Sequence, residues 1–223
     1  MPQYNVKVKS VDKITHDVLS IVTEKPHSFN FIPGQATEVS INKNGWLDEK
    51  RPFTFTCLPE NDYLEFTIKT YPSHKSVTNE LLNLKKNDEL TLHDVFGAIA
   101  YKGKGVFIAG GAGVTPFICI FRYLQSKNEI GDNKFIFANK TKDDIILAKE
   151  FENILGSNFI NILSDEKVKG YAHGQITEDF LKANSGGINQ FFYVCGPPPM
   201  INAIEKQLLH LKVDEKHIIK EEF

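Results

Sequence analysis

The sequence predicts two domains: an N-terminal antiparallel β-barrel over residues 1–102 and a C-terminal α/β domain with a parallel sheet over residues 103–223. Three observations carry this expectation. Up to about residue 100, short alternating or β-branched runs follow one another with turn-forming residues between them. Beyond Tyr101-Lys102-Gly103-Lys104-Gly105, apolar strand-like runs alternate with helical ones, the pattern of a doubly wound sheet. The 223 residues suffice for two small domains or one large one.

In the first half, residues 4–9 alternate apolar and polar positions, as a half-buried strand does. Residues 18–23 form a β-branched run, and 36–41, 51–58, 63–71 and 90–93 are further strands. Pro33-Gly34, Asn44-Gly45 and Asn61-Asp62 supply turns. One helix interrupts, with Ser76 or Thr78 capping a run through Leu81, Leu82 and Leu84. In the second half, strands are predicted at 105–109, 134–138, 159–163 and 191–195. Helices are predicted at 116–125, 146–155, 178–182 and 199–211. There is no internal repeat and no low-complexity tract.

Bulk properties exclude several classes. Hydrophobic residues at 41% and charged residues at 24% give an ordinary soluble balance. A net charge of -2 gives no case for nucleic acid. Cys57, Cys119 and Cys195 are odd in number and widely spaced, with no metal-ligand spacing, so neither zinc nor an iron–sulfur cluster is expected. No disulfide framework is expected either, which points to a reducing compartment. With no apolar signal core in the first residues and no membrane-length apolar run, the expectation is a soluble, cytoplasmic protein.

Three segments carry chemistry. Gly110-Gly111-Ala112-Gly113-Val114-Thr115-Pro116 follows an apolar strand and precedes a helix. Glycines let a phosphate approach the backbone, and the helix start favours an anion. Pro116 suits a first helical position, and Thr115 adds a hydroxyl. A ligand-free strand–helix turn is the alternative. No Lys-Ser/Thr pair follows, so this is not a Walker loop, and the third glycine of the usual dinucleotide fingerprint is absent.

The second segment is Arg51-Pro52-Phe53-Thr54-Phe55-Thr56. An Arg within a β run is costly to bury without an anion, and its planar fork suits a diphosphate; an edge strand with an exposed Arg and core phenylalanines is the alternative. Phe53, two residues on, shares its face and could lie against a planar ring, while Thr54 could bond a ring nitrogen. Ser76-Val77-Thr78 opens the only helix of this half and offers a second anion site. The third segment, Cys195-Gly196-Pro197-Pro198-Pro199-Met200, closes an apolar strand at the edge where open α/β sheets bind ligands. A buried packing thiol is the alternative for Cys195.

Together, across essentially the whole chain, these segments resemble the ferredoxin–NADP reductase superfamily, which pairs a flavin-binding barrel with a nicotinamide-binding α/β domain. Its Arg-x-Tyr-Ser/Thr motif is matched by Arg51, Phe53 and Thr54. The resemblance implies that Arg51 holds the flavin phosphate, Phe53 stacks near the ring and Thr54 bonds near flavin N5. Pro52 lies within that motif, and Phe in place of Tyr removes one hydroxyl. Pro33-Gly34-Gln35 is similar to the strand entry before it. Ile68-Lys69-Thr70-Tyr71 is similar to the next flavin-contacting strand. Ser76, Val77 and Thr78 are similar to a Gly-x-Ser/Thr phosphate turn, with Ser76 in the glycine's place.

In the second half, Gly110, Gly111, Gly113, Thr115 and Pro116 resemble the pyrophosphate loop. Cys195, Gly196 and Pro197, followed by Met200, resemble a Cys-Gly-Pro turn that sets Cys195 near the nicotinamide C4. Glu221-Glu222-Phe223 resembles a Glu-x-Phe tail in which Phe223 covers the flavin until nicotinamide displaces it; a mobile end is the alternative. NADP-preferring relatives often carry Ser-Arg where this chain has Ser164-Asp165-Glu166. Two carboxylates repel a 2′-phosphate and accept ribose hydroxyls, so the pattern leans to NADH, with Asn139 and Lys140 on the neighbouring strand.

The implied activity is hydride transfer from NADH or NADPH to FAD, in preference to FMN, and then to a separate flavodoxin or ferredoxin. Thr54, Cys195 and Phe223 are the candidates for setting its geometry. Glu221 is expected to be a solvated carboxylate, and Lys69, His74, Lys75, Lys102 and Lys104 a basic docking face for an acidic partner. The alternatives are a reductase of free flavin, a non-catalytic electron-transfer subunit, and a pure nucleotide-binding module.

Overall fold

A computed structural model describes residues 3–71 and 76–222 of the protein. The chain divides into two units. One holds the chain up to Ala100 together with Thr115–Tyr123; the other holds Tyr101–Val114 together with the chain from Leu124.

The first unit is built from β1 (Tyr4–Thr15), β2 (Val18–Glu24), β3 (Ala36–Ile41), β4 (Arg51–Thr54), β5 (Tyr63–Lys69) and β6 (Glu89–Phe96). These pair antiparallel in the order β4-β3-β6-β1-β2-β5. The two outer strands meet. Phe55 forms an antiparallel bridge with Phe66, and the Thr56 N–H donates to Glu65 O at 2.8 Å. That seam closes the sheet into the predicted barrel. It also explains why β4 stops at Thr54 rather than at residue 58: from Phe55 onward the chain leaves β3 for β5.

Strand β1 runs to Thr15, well past residue 9, because its polar residues pair across from β2 with their side chains outward. Inside, Phe29, Phe31, Phe55 and Phe66 form a ring cluster, with Phe31 stacked on Phe55 at 4.3 Å. Each such burial contributes about 1.5–3 kcal/mol. The Pro33-Gly34 turn needs its glycine: φ there is +98°, and a Cβ would lie 2.3 Å from Ile99 O.

The helix expected after Ser76 is short. α1 (Val77–Glu80) passes at once into a 3-10 turn, Leu81–Asn83. Val77, Leu81 and Leu84 turn into the barrel core, so tertiary packing sets the shape of this segment.

The second unit has six parallel strands: β7 (Gly105–Gly110), β8 (Lys134–Asn139), β9 (Phe159–Leu163), β10 (Ala172–His173), β11 (Phe191–Gly196) and β12 (Ile218–Glu222). Its helices are α3 (Ala148–Leu155), α4 (Glu178–Ser185) and α5 (Pro198–His210). α2 (Thr115–Ser126) follows β7 in the chain. The order is β10-β9-β8-β7-β11-β12, and all six residues of β7 are buried. The chain steps outward from β7 to β10, then returns to the other side of β7 as β11. The topological switch point therefore falls between β7 and β11, where ligands enter open α/β sheets.

Two prolines occupy the first turn of α5, where the missing N–H groups have no helical partner to lose. α3 begins at Ala148, because Leu147 takes a left-handed conformation with φ 53°. No strand is expected beyond the helix at 199–211. Ile218 to Glu222 instead pair with Phe192 to Gly196, and the charged residues 220–222 masked that strand. The two-residue β10 also escaped sequence reading.

The Lys-Gly-Lys-Gly stretch is anchored to the second unit. The Tyr193 hydroxyl accepts the N–H groups of Lys102 at 2.9 Å and Gly103 at 3.1 Å and donates to Gly103 O at 2.7 Å. Its ring stacks on Phe107 at 4.3 Å. Asn133 Oδ1 accepts the Gly105 N–H at 2.8 Å. Among the described residues, no helix is long and apolar enough to cross a membrane.

Candidate functional site

In the barrel unit, β4 presents the Arg-Pro-Phe-Thr series from exposed to buried. Arg51 is exposed, as the edge-strand alternative has it, so the burial cost weighed from the sequence does not arise. It lies 3.7 Å from Glu49, itself half in solvent, and donates to Lys50 O at 2.6 Å. No burial cost therefore demands an anion, but a guanidinium held this loosely can turn onto one. Pro52 is also exposed, and Phe53 is half-buried against the barrel core.

Thr54 is buried, with its hydroxyl accepting from Thr115 Oγ1 at 3.3 Å. Thr115 is the first of three residues on one face of α2 that bond to the end of β4 and the segment just after it. The Cys119 thiol donates to Cys57 O at 2.9 Å. Arg122 Nη1 donates to Thr56 O at 2.8 Å and to Glu65 Oε2 at 2.7 Å. Positions 115, 119 and 122 are four and three apart, the spacing that aligns side chains on a helix. Sequence reading missed this set, although an Arg inside an apolar helix was its visible signal.

The other predicted flavin contacts are divided. Ile68 and Val77 point into the barrel core, so their side chains are not offered to a ligand. Tyr71 is exposed. The Ser76 and Thr78 hydroxyls lie 2.8 Å apart at the start of α1. With four residues, that helix lacks the dipole the sequence argument relied on, and the two hydroxyls are what remains for a phosphate.

A flavin nucleotide calls for a cation near its phosphates, an apolar face for its ring and a polar group at the ring edge. Arg51, Phe53 and Thr54 supply these along one strand, and the residues present fit the group.

In the second unit, the turns after β7 and β11 interlock at the switch point. A Cβ on Gly113 would lie 2.3 Å from Cys195 O, and one on Gly110 would lie 2.5 Å from Met200 Sδ. One on Gly196 would reach Met200 Cε at 2.7 Å. These three glycines let the two turns pack closely against each other. Gly111 differs. It has φ +52°, and its missing Cβ has no neighbour within 4 Å. It is the position where a ligand can approach the backbone.

Asn139 ends β8, beside the Gly110–Ala138 register. Its Nδ2 is shielded from solvent and has no hydrogen-bond partner. An orphan donor of this kind costs about 1–3 kcal/mol, which a ligand acceptor at the sheet edge would offset. Asn139 O accepts the Ser164 N–H at 3.0 Å, and Lys140 O accepts the Asp165 N–H at 2.9 Å. Lys140 and Asp165 are both exposed, with Asp165 Oδ1 accepting from Ser164 Oγ at 2.6 Å. An open backbone at Gly111 and an orphan amide on the adjoining strand end fit a dinucleotide.

Cys195 is fully buried, and burial first, then the nearby Glu221 carboxylate, raise its thiol far above the usual range. It stays protonated, which excludes a thiolate nucleophile and leaves packing and positioning. Pro197 is exposed beside it, and Met200 is half-buried. β12 sets Glu221 in register with Cys195. The Glu221 Oε2 is shielded, contrary to the solvated carboxylate expected. Phe223, His74 and Lys75 lie outside the described residues. Lys69 pairs with Asp17 at 2.8 Å and Lys104 with Asp132 at 2.9 Å, so the expected basic docking face loses two of its charges to internal partners.

Comparison with known proteins agrees with both halves. Residues 3–115 match the FAD-binding domain family, and residues 107–206 match the oxidoreductase NAD-binding domain. The chain is 28% identical over 214 residues to the propane 2-monooxygenase reductase component of Mycolicibacterium smegmatis, covering 88% of this chain and 61% of the relative. It is 28% identical over 220 residues to NADH-cytochrome b5 reductase 2 of Mycosarcoma maydis, covering 88% and 62%. The chain thus spans about three fifths of the length of these curated relatives. In fold, it superposes on a ferredoxin NADP+ reductase from Neisseria gonorrhoeae with a TM-score of 0.85 at 16% identity, covering 100% of this chain and 99% of the other. The cytochrome b5 reductase domain of Ulva prolifera nitrate reductase gives a TM-score of 0.85 at 20% identity, covering 99% and 97%. Barrel, parallel sheet and both domain matches agree: the chain belongs to the FAD-binding domain family and, with its oxidoreductase NAD-binding domain, to the ferredoxin–NADP reductase superfamily.

Proposed function

We propose that the protein is an FAD-dependent NAD(P)H oxidoreductase that delivers electrons to a separate protein acceptor. The observation that carries this is the loosely held Arg51 on the strand of Phe53 and Thr54, in a chain whose second sheet leaves Gly111 open at its switch point. When bound, FAD supplies the redox chemistry, taking a hydride from the nicotinamide and releasing electrons to the acceptor.

The chain supplies binding and orientation. Arg51 and the Ser76 and Thr78 hydroxyls hold the flavin phosphates, Phe53 lies against the ring, and Thr54 hydrogen-bonds its edge. Gly111 and Asn139 receive the nicotinamide dinucleotide, and buried Cys195 with Gly196 shapes the turn beside it. Asp165, exposed at the end of β9, favours NADH by accepting ribose hydroxyls and repelling a 2′-phosphate. The acceptor is a small electron carrier such as a flavodoxin or ferredoxin, or an oxygenase or cytochrome component of the kind the relatives' names describe.

The test is an absorbance spectrum of the purified protein, then anaerobic titration with NADH and NADPH in turn. Flavin bands that bleach, at lower NADH than NADPH, are the expected result. Absence of bound flavin after reconstitution with both FAD and FMN overturns the proposal. Turnover of added flavin by a colourless protein shifts it to a free-flavin reductase.

A further inference from the structure

We propose that Arg122 is a positioning residue for the Thr54 hydroxyl, acting through the strand that carries it. The proposal rests on FAD binding beside Thr54. Thr54 is the last residue of β4, and the chain changes partner immediately after it. The Phe55 N–H goes to Gln35 O at 3.1 Å, while the Thr56 N–H goes to Glu65 O at 2.8 Å. Across this crossing from β3 to β5, strand pairing is reduced to the single Phe55–Phe66 bridge. Arg122 spans the gap. One nitrogen of its guanidinium donates to Thr56 O at 2.8 Å and to the Glu65 carboxylate of β5 at 2.7 Å. It therefore ties the backbone two residues past Thr54 to the neighbouring strand.

The same helix face sets the hydroxyl itself. Thr115, two turns earlier on α2, donates to Thr54 Oγ1 at 3.3 Å. A threonine hydroxyl has one hydrogen to give, so accepting from Thr115 leaves that hydrogen free to donate to a ligand. Arg122 fixes where α2 and the strand lie against each other, and Thr115 fixes how the hydroxyl points. Both side chains of the ion pair are well covered, with 22% of Arg122 and 13% of Glu65 accessible. Solvent screening of the contact is therefore limited. Loss of Arg122 lets the strand end relax, and the hydroxyl moves by a fraction of an ångström.

The experiment reconstitutes the protein with FAD labelled with 15N at N5. It compares wild type with Arg122→Met, Arg122→Lys, Thr54→Ala and the pair Glu65→Gln with Arg122→Met. The paired variant removes the carboxylate that Arg122→Met would strand, and so recovers melting temperature without recovering the tether. The N5 resonance is expected to shift in Arg122→Met in the direction seen for Thr54→Ala. The shift persists in the paired variant and is partly reversed in Arg122→Lys. The rate constant for flavin reduction by NADH falls about tenfold or more in the variants that lack the tether, while FAD affinity changes less than about threefold. An N5 resonance and reduction rate equal to wild type in the refolded paired variant overturn the proposal and leave Arg122 a fold tether. Wild-type protein that takes up no FAD overturns the proposed function itself, and is seen before any variant is compared.

Discussion

Replacing Gly111 and Gly113 by alanine in turn separates a ligand-facing glycine from a packing one. At Gly111 a Cβ meets nothing within 4 Å, so the protein bears only the cost of an L-residue at φ +52°. That cost is about 1–2 kcal/mol, which lowers the melting temperature by about 2–8 °C for a chain of this size. At Gly113 the added carbon lies 2.3 Å from Cys195 O, 2.5 Å from its carbonyl carbon and 2.6 Å from Gly196 Cα. All three are backbone atoms at the end of a central strand and cannot swing aside. Overpacking costs about 1–3 kcal/mol, and against immobile backbone atoms the upper end of that range applies. Binding should follow the opposite order to stability. A methyl group at Gly111 occupies the space through which a phosphate approaches the backbone. NADH affinity in Gly111→Ala is therefore expected to fall about 10–30-fold, about 1.4–2 kcal/mol. Thermal melts by circular dichroism and NADH titration by fluorescence measure the two quantities independently. Gly111→Ala protein that binds NADH as wild type does would refute the assignment of that open space to the dinucleotide. Gly113→Ala protein that melts like wild type would refute the packing argument.

Tyr193→Phe removes the hydroxyl that bonds Lys102 and Gly103, at a cost of about 2–4 kcal/mol for two amide donors left to partial hydration. Amide hydrogen exchange at residues 102–105 should accelerate, and unchanged exchange would count against the anchor. Cys57 is held by burial up to about 11, above the usual thiol value. A thiol raised on folding loses its stabilising contribution as pH rises, so stability should decline between about pH 9 and 11. Serine does not titrate in that window. The slope of melting temperature against pH should therefore be shallower in Cys57→Ser, and identical slopes would contradict the buried thiol.

Period and punctuation in the chain were enough to determine the architecture. Alternating runs separated by Pro-Gly and Asn-Asp turns specify the barrel, and the change to strand–helix alternation after residue 105 specifies the parallel sheet, because burial on one face or two imposes those periods directly. The three motifs were legible for the same reason: a glycine run between strand and helix, and an Arg-x-Phe-Thr strand, are local chemistry. What sequence could not show depends on partners distant in the chain. Arg51 looked costly to bury, yet lies in solvent because β4 starts at the barrel's rim. Glycines alike in sequence divide into Gly113, pressed on Cys195, and Gly111, facing open space. Residues 218–222 show no strand period in sequence, yet pairing with β11 makes them a strand. Lys69 looked like a docking charge until Asp17, 52 positions earlier in the chain, neutralised it. Each outcome was decided by which backbone or charge stood opposite, a property of the closed fold that no local pattern encodes.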